Sequence, residues 1–280
     1  MTTNIDNKVV ADFGAEWSIF DQSSVSAEEQ LSQFQRYFSF FPWHLLPQSA
    51  IAFDVGCGSG RWAKYVAPRV GLLHCIDPSV AALDVTRRAL AEFVNCEFHC
   101  ASVDNIPLQP NSTDFGYSLG VLHHVPDTQK GINDSVALLK PGGIFLIYLY
   151  YALDGRPKWF IFLWRVTDFF RGRIAKLPLR IKRVVTDVIA TFIYWPISRF
   201  LFVLEKLGLC VGHFPLSGYR QSSFYTLRTD ALDRFGTSLE KRFTRKQVGY
   251  MLEEAGLKDI VFSENEPFWC AYGIKPPVRS

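Results

Sequence analysis

The apolar positions of this chain change their period along its length, and the changes mark its parts. Between residues 50 and 151, short apolar runs alternate with segments whose apolar residues recur every three or four positions. "AIAFDV" reads as a first strand and "LLHCID" as a second, with "GRWAKYVAPRV" between them as a short helix ended by Pro68. Pro78 suits a first helical turn, and Val80, Leu83, Leu90 and Phe93 then fall near one face. "CEFHCA" predicts a third strand and "DFGYSLGV" a fourth, closed by "LHHVPD". "GINDSVALLK" predicts a helix and "KPGG" a turn. "IFLIYLYY" predicts a fifth strand, apolar on both faces and therefore central. Strands alternating with helices predict an α/β fold with a doubly wound, mostly parallel sheet.

The rhythm breaks after residue 151. Bulky aromatic and basic residues mix as far as residue 240, with eleven Lys or Arg against three acids between Arg156 and Lys206. Such a segment fits a helical cap with solvated arginines, and also a membrane-surface helix. Its longest uncharged run, Val188 to Ser198, contains Pro196 and is too short to span a bilayer. "FTRKQVGYMLEEAGL" restores a helical period, with Thr244 and Gln247 as a capping box and Gly256 as the stop. "KDIVFS" and "FWCAYGI" predict two last strands, joined as an antiparallel hairpin.

Composition narrows the class. With 48% hydrophobic and 15% aromatic residues among 280, the chain has ample material for a core and is not a disordered chain. A net charge of +3 is too small to argue for nucleic acid. The six cysteines form no C-x-x-C pair, so no metal site is expected. The polar opening "MTTNIDNKVV" predicts a cytoplasmic protein.

The candidate chemistry starts at "FDVGCGSGRW", where glycines at alternate positions follow a strand and an acid. A bare backbone there lets a ligand approach the positive end of a helix. A dinucleotide fingerprint needs a glycine where Arg61 stands, and Gly60 comes one residue early. A ligand with an ammonium group would instead find Asp54 beside the loop. Asp77, just over twenty residues on at the end of the second strand, is placed to accept the hydroxyls of a ribose.

Five strings together, "DVGCGSG", "IDPS", "SVDNIPL", "DFGYSLGVLHHVPD" and "LLKPGGIFLIY", resemble the class I S-adenosylmethionine-dependent methyltransferases. Their flavour is similar to the ubiquinone/menaquinone-biosynthesis type and other small-molecule methyltransferases. The resemblance covers residues 50–151 and, more loosely, 244–274, and implies a seven-stranded Rossmann-like sheet. It implies S-adenosylmethionine as cofactor, with S-adenosylhomocysteine as product. Asp54, Gly56, Cys57, Gly58 and Gly60 would surround its methionine part, Asp77 would hold the ribose, and Pro78 and Ser79 would flank the adenine. Ser102 stands where the family commonly has an acid, Val103 would supply backbone contacts, and Leu119 and Gly120 would pass close to the methionine. "DFGAEW" is similar to segments that lie over the cofactor, which makes Phe13 and Trp17 candidate shields or, alternatively, docking aromatics.

For the reaction, the candidate bases are His123 and His124, with Tyr148 and Tyr151 leaving the fifth strand toward the same rim. Tyr150, Tyr219 and Arg220 are candidate substrate contacts. The expected division is an N-terminal helical lid (1–49), a cofactor-binding core (50–151), a helical cap holding the acceptor pocket (152–243) and a C-terminal completion of the core (244–280). The expected function is methyl transfer to a small-molecule or lipid-like acceptor, with peripheral membrane contact through the basic insertion. Alternatives are a non-catalytic S-adenosylmethionine-binding protein and a nucleic-acid methyltransferase. The latter is disfavoured because "SLGVLHH" stands where base-amine enzymes carry N-P-P-Y or D-P-P-Y.

Overall fold

The computed structural model describes residues 3–277 and divides them into two compact units. The first comprises the chain before Gln22, Gln30–Asp154 and everything from Leu239 on; the second comprises Gln22–Glu29 and Gly155–Ser238.

The first unit is built on one seven-stranded sheet in the order β3-β2-β1-β4-β5-β7-β6. Its strands are β1 (Ile51–Val55), β2 (Leu72–Asp77), β3 (Cys96–Cys100), β4 (Thr113–Leu119), β5 (Leu139–Tyr148), β6 (Lys258–Phe262) and β7 (Cys270–Ile274). Only β7 runs against the rest, slotted between β5 and β6. The central strands are apolar on both faces because both faces are covered. Phe115, Tyr117, Leu146 and Ile144 pack into one cluster, while Phe53, Val55, Phe145 and Ile147 pack into the other. The helices of this unit are α1 (Asn7–Ile19), most of α2 (Ala27–Phe38), α3 (Ala63–Val66), α4 (Val80–Ala89) and α5 (Thr128–Ala137). A later one, α10 (Arg245–Glu254), comes after the second unit. The capping box of Thr244 and Gln247 is present at α10, and Gly256 follows that helix at φ +89°.

The expected "KPGG" turn is instead the start of β5. The Gly142 N–H donates to the Lys275 carbonyl (2.7 Å) and the Lys275 N–H to the Gly143 carbonyl (2.8 Å), so the end of the chain ties this stretch into the sheet. The slack is absorbed as an irregular register against β4, between Thr113 and Phe115. The fifth strand also ends earlier than expected, at Tyr148; Tyr151 makes an isolated bridge to Phe243.

The second unit is helical. Between α5 and α10 in the chain lie α6 (Lys158–Ile174), α7 (Leu179–Ile189), a π-helical turn (Ala190–Tyr194), α8 (Trp195–Lys206) and α9 (Phe224–Gly236). Ala190, Tyr194, Leu227, Ala231 and Phe235 form its small core. The π turn makes α7 and α8 one continuous rod, Leu179–Lys206, which is long and apolar enough by length and composition to cross a membrane. This departs from the expectation drawn from its uncharged run, because the helix continues past Arg199 through further apolar residues, Phe200 to Leu204.

Candidate active site

In a sheet of this order the strands reverse direction of progression between β1 and β4, and ligands bind beyond the strand ends at that point. Four residues with φ between +56° and +79° lie there: Gly56, Gly58 and Gly60 after β1, and Gly120 after β4. The requirement for glycine is steric as well as conformational. A Cβ on Gly56 would fall 2.5 Å from Val121, and one on Gly58 would fall 2.9 Å from the Trp17 indole nitrogen. Thr86 on α4 holds the far side of the loop, donating its hydroxyl to the Gly58 carbonyl at 2.7 Å and lying 3.6 Å from the Cys57 Sγ.

Two buried carboxylates flank this loop. Asp54 is 1% exposed and its Oδ2 has no hydrogen-bond partner among the described residues. Burial pushes its carboxyl up to about 8; the Tyr117 hydroxyl holds it down, Asp77 pushes it further up, and Arg61 offsets a little. Asp77 is raised to about 6 by burial, against the N–H groups of Ser79 and Gly58. Those two donors reach Oδ1 at 2.8 Å and Oδ2 at 3.0 Å, which leaves a second lone pair on each oxygen. Paired acids this short of positive charge favour a cationic ligand and repel a pyrophosphate. The arrangement fits S-adenosylmethionine: Asp54 would meet the amino acid end and Asp77 the ribose hydroxyls.

The remaining cofactor candidates are placed as follows. Ser79 is the N-cap of α4, its hydroxyl accepting from the Ala82 N–H at 3.3 Å, so Pro78 stands just before the helix and not in its first turn as expected. Ser102 donates its hydroxyl to Asp104 at 2.5 Å, and Val103 is buried in the turn that follows. Leu119 is buried at the end of β4, and the Gly120 N–H donates to the Tyr148 carbonyl at 3.1 Å. Helix α1 crosses this region. Its Trp17 faces Gly58, its Gly14 faces Ser79, and its Phe13 ring lies 5.0 Å from that of His124.

His123, His124, Tyr148 and Tyr150 come together after β4 and β5. The His123 ring lies 4.0 Å from His124 and 3.9 Å from Tyr150. His123 is fully buried, neither ring nitrogen has a partner among the described residues, and burial first, then His124 and Arg242, hold it neutral. The His124 Nδ1 lies 2.6 Å from the Leu239 carbonyl. A carbonyl only accepts, so Nδ1 carries the hydrogen and Nε2 is the basic nitrogen. Tyr148 meets Tyr37 and Tyr150 edge-on or tilted, and burial keeps its phenol far above the neutral range, so it is no base. Tyr151 packs instead against Phe268 and Trp269. Tyr219 and Arg220 belong to the second unit, where Tyr219 packs on Tyr194 and Arg220 is ion-paired to Glu205 at 2.7 Å.

Three features were not visible in the sequence. The strand-like stretch 239–243 laces the histidine loop to the end of β5. Lys241 donates its N–H to the His123 carbonyl (3.1 Å), Phe243 to the Tyr150 carbonyl (2.8 Å), and Arg242 lies over the Tyr150 ring at 5.2 Å. Asn4 clips the N-terminal segment to Asp104 (2.7 Å) and, through two bonds of 2.8 Å, to the backbone of Asp127. Arg61 lies over Trp62 (4.5 Å) and Trp17 (5.5 Å). Only Arg61 had a signal, its position directly after the glycine string.

Residues 53–147 match the family described as "Methyltransferase domain". A ubiquinone biosynthesis O-methyltransferase of Coxiella burnetii is 31% identical over 91 residues, which are 32% of this chain and 39% of that protein. Phosphoethanolamine N-methyltransferase 2 of Caenorhabditis elegans is 31% identical over 126 residues, 44% of this chain and 28% of that one. The chain thus spans well under half the length of these relatives. Among solved structures, a chain of the complex between the Haloferax volcanii Trm112 methyltransferase activator and a methyltransferase superposes with a TM-score of 0.57 at 13% identity. The match covers 97% of this chain and 99% of that one. Matched family, seven-stranded sheet and acid-flanked glycine loop agree, and the chain carries a class I, S-adenosylmethionine-dependent methyltransferase domain.

Proposed function

We propose that this chain transfers a methyl group from S-adenosylmethionine to a small, lipid-like acceptor. The observation that carries the reading is the pair of buried, proton-hungry carboxylates around a glycine loop shaped for close approach. The cofactor supplies an electrophilic methyl group on a sulfonium. The chain's own part is to hold and align, which is the main demand of an in-line displacement. Asp54 anchors the ammonium, Asp77 the ribose, and Trp17 on α1 shields the loop from water. His124 is the residue oriented to take a proton from the acceptor, its Nδ1 fixed by Leu239 and its ring packed on Phe13. His123 packs on the same ring, 4.0 Å between centroids. The similarity to proteins named for ubiquinone biosynthesis and for phosphoethanolamine supports a small-molecule acceptor.

The test is to supply methyl-labelled S-adenosylmethionine together with fractionated metabolite and lipid extracts. Label is expected in one small-molecule fraction and is expected to fall at least tenfold in His124→Gln with cofactor affinity unchanged. Binding of NAD with no response to S-adenosylmethionine would overturn the reading. Binding without transfer to any fraction would favour a non-catalytic cofactor-binding protein.

A further inference from the structure

The second unit presents an amphipathic surface of unusual extent. Along the rod of α7 and α8, Lys182, Thr186, Ala190, Tyr194, Ser198 and Leu201 are buried and recur every three or four residues. The opposite stripe is apolar and exposed: Ile181, Val184, Val188, Phe192, Phe200 and Val203, with Phe192 73% and Phe200 62% accessible. Helix α6 adds Phe162, 70% accessible, and Phe169, 58% accessible. Exposed arginines interleave with these residues, among them Arg165, Arg173, Arg180 and Arg183.

We propose that this unit docks in the interface of an anionic lipid bilayer, lying on it rather than crossing it. The occupant follows from charge: eleven basic against three acidic residues between Arg156 and Lys206 complement an anionic surface, and the stripe of aromatic and branched residues suits the acyl boundary beneath it. The orientation follows from the buried stripe. A rod of 28 residues reaches about 42 Å, more than the ~30 Å hydrocarbon core. Yet its inner face is packed on α9, where Arg228 makes two bonds of 2.8 Å to Asp187, and the Lys182 Nζ donates to the Gly236 carbonyl at 2.9 Å. Crossing would drag α9 and these charges into hydrocarbon, which costs several kcal/mol per charge. Lying flat buries only the free stripe.

The experiment is flotation of the full chain with phosphatidylcholine vesicles, with or without phosphatidylglycerol. We expect capture on the anionic vesicles that weakens as salt rises. Phe192→Asp with Phe200→Asp should lower capture at least tenfold, and Arg180→Glu with Arg183→Glu should lower it on anionic vesicles only. Helix content by circular dichroism without vesicles reports folding of the helical unit, and cofactor titration keeps this result separate from the proposed methyl transfer. Absence of capture, or capture unchanged in both double variants, overturns the proposal. So does a concentration-dependent dimer that Phe192→Asp dissociates without any vesicle binding, since it would assign the stripe to a second copy.

An independent observation lies at the sheet edge. The His74 Nδ1 lies 3.0 Å from the His99 Nε2 and 3.2 Å from the Glu97 Oε2, which is 3.8 Å from that same His99 nitrogen. A tetrahedral ion with bonds of ~2.0–2.1 Å separates its donors by about 3.3 Å. The register puts His74 opposite Glu97 and Ile76 opposite His99, all on the face that α4 does not cover. The geometry points to a site for a single zinc-like divalent ion on His74, Glu97 and His99, stapling edge strand β3 to β2. It would lie about 10 Å along β2 from Asp77. Nitrogen and carboxylate donors suit zinc over magnesium or calcium. Titration with cobalt, and with zinc in competition with a chromophoric chelator, should show one ion and no thiolate charge-transfer band. His99→Ala and Glu97→Gln should each weaken it at least tenfold. No stoichiometric binding, a thiolate band, or unchanged affinity in both variants overturns the site.

Discussion

The two compact units treat their large apolar side chains in opposite ways. In the sheet unit, Phe53, Phe115, Tyr117 and Phe145 are completely withdrawn from water. In the helical unit, α6 runs for 17 residues without one buried side chain. Their residue types overlap, so hydrophobic content alone does not distinguish them. The difference is whether an element meets partners on the faces where its apolar residues lie. The sheet unit meets them on both faces of its central strands, and at the glycine loop it instead buries the Asp54 Oδ2 with no hydrogen-bond partner among the described residues. The helical unit leaves the need at its surface. On this view cofactor chemistry belongs to the first unit and lipid contact to the second, and each of the following measurements tests that separation.

The largest effect is expected at Asp54. In Asp54→Asn, affinity for S-adenosylmethionine should fall at least 100-fold by calorimetry, about 2.7 kcal/mol. The ligand-free protein should become more stable. The sign follows from linkage: with the carboxyl raised from 3.8 to about 8 in the folded chain, the unfolded chain ionises first as pH rises, so native stability is lost between those values. At pH 7 the lost part is on the order of 2–4 kcal/mol, which the amide recovers. A variant that loses both affinity and melting temperature would show that Asp54 is a structural residue.

Next comes the contrast between Asp77 and Ser102. Asp77→Ala should weaken cofactor binding ten- to 100-fold, since charged hydrogen bonds contribute roughly 1.5–3 kcal/mol each. Ser102→Ala should weaken it less than threefold, because that hydroxyl already donates to Asp104. Equal losses in the two variants would misplace the ribose.

How far these residues were legible depends on how local their reasons are. The strands, the capping box at Thr244 and the glycine loop follow from neighbours in sequence, and the motif string reports them. The tying of "KPGG" into β5 does not, because its partner is Lys275, over 130 residues away. The same holds for Arg242 over Tyr150 and for Leu239 beneath His124, which return to the site only after the whole helical unit has intervened. In the insertion, a mixed aromatic and basic pattern left cap and membrane surface undecided. Which stripe faces inward is set by α9, a partner that no local window contains.

A smaller effect should appear in the pH dependence of stability. Burial holds the folded His123 neutral well below its ordinary value of 6.5, so the unfolded chain takes up the proton first as pH falls. Stability from this group is therefore full above about 6.5 and is lost on acidification, by about 1.4 kcal/mol for the first unit below it. His123→Phe keeps a ring against Tyr150, and neither nitrogen had a partner among the described residues to lose. Between pH 7.5 and 5.5 the variant should lose about 1.4 kcal/mol less than the parent in denaturant melts. The opposite contribution of Asp54 is common to both proteins and cancels. Identical slopes would mean that the histidine titrates in its packed position as it does in the unfolded chain.

The smallest change in cofactor affinity is expected from the largest alteration of the chain. Replacing 155–238 by a Gly-Ser linker removes the exposed stripe, α9 and Arg220, but none of Asp54, Gly56, Gly58, Asp77 or the loop 239–243 that holds His123 and His124. The residues on both sides of the excision remain joined to one another: the Phe243 N–H reaches the Tyr150 carbonyl at 2.8 Å, and the Ala152 N–H reaches the Phe243 carbonyl at 2.9 Å. These bonds set the span the linker must close, and closure entropy rises only slowly with its length. Affinity for S-adenosylmethionine should therefore stay within about threefold of the parent, under 0.7 kcal/mol, while capture on anionic vesicles disappears. A folded linker variant that loses the cofactor would break the separation of the two units, because the acids around the loop would then depend on helices that contribute no charge to them.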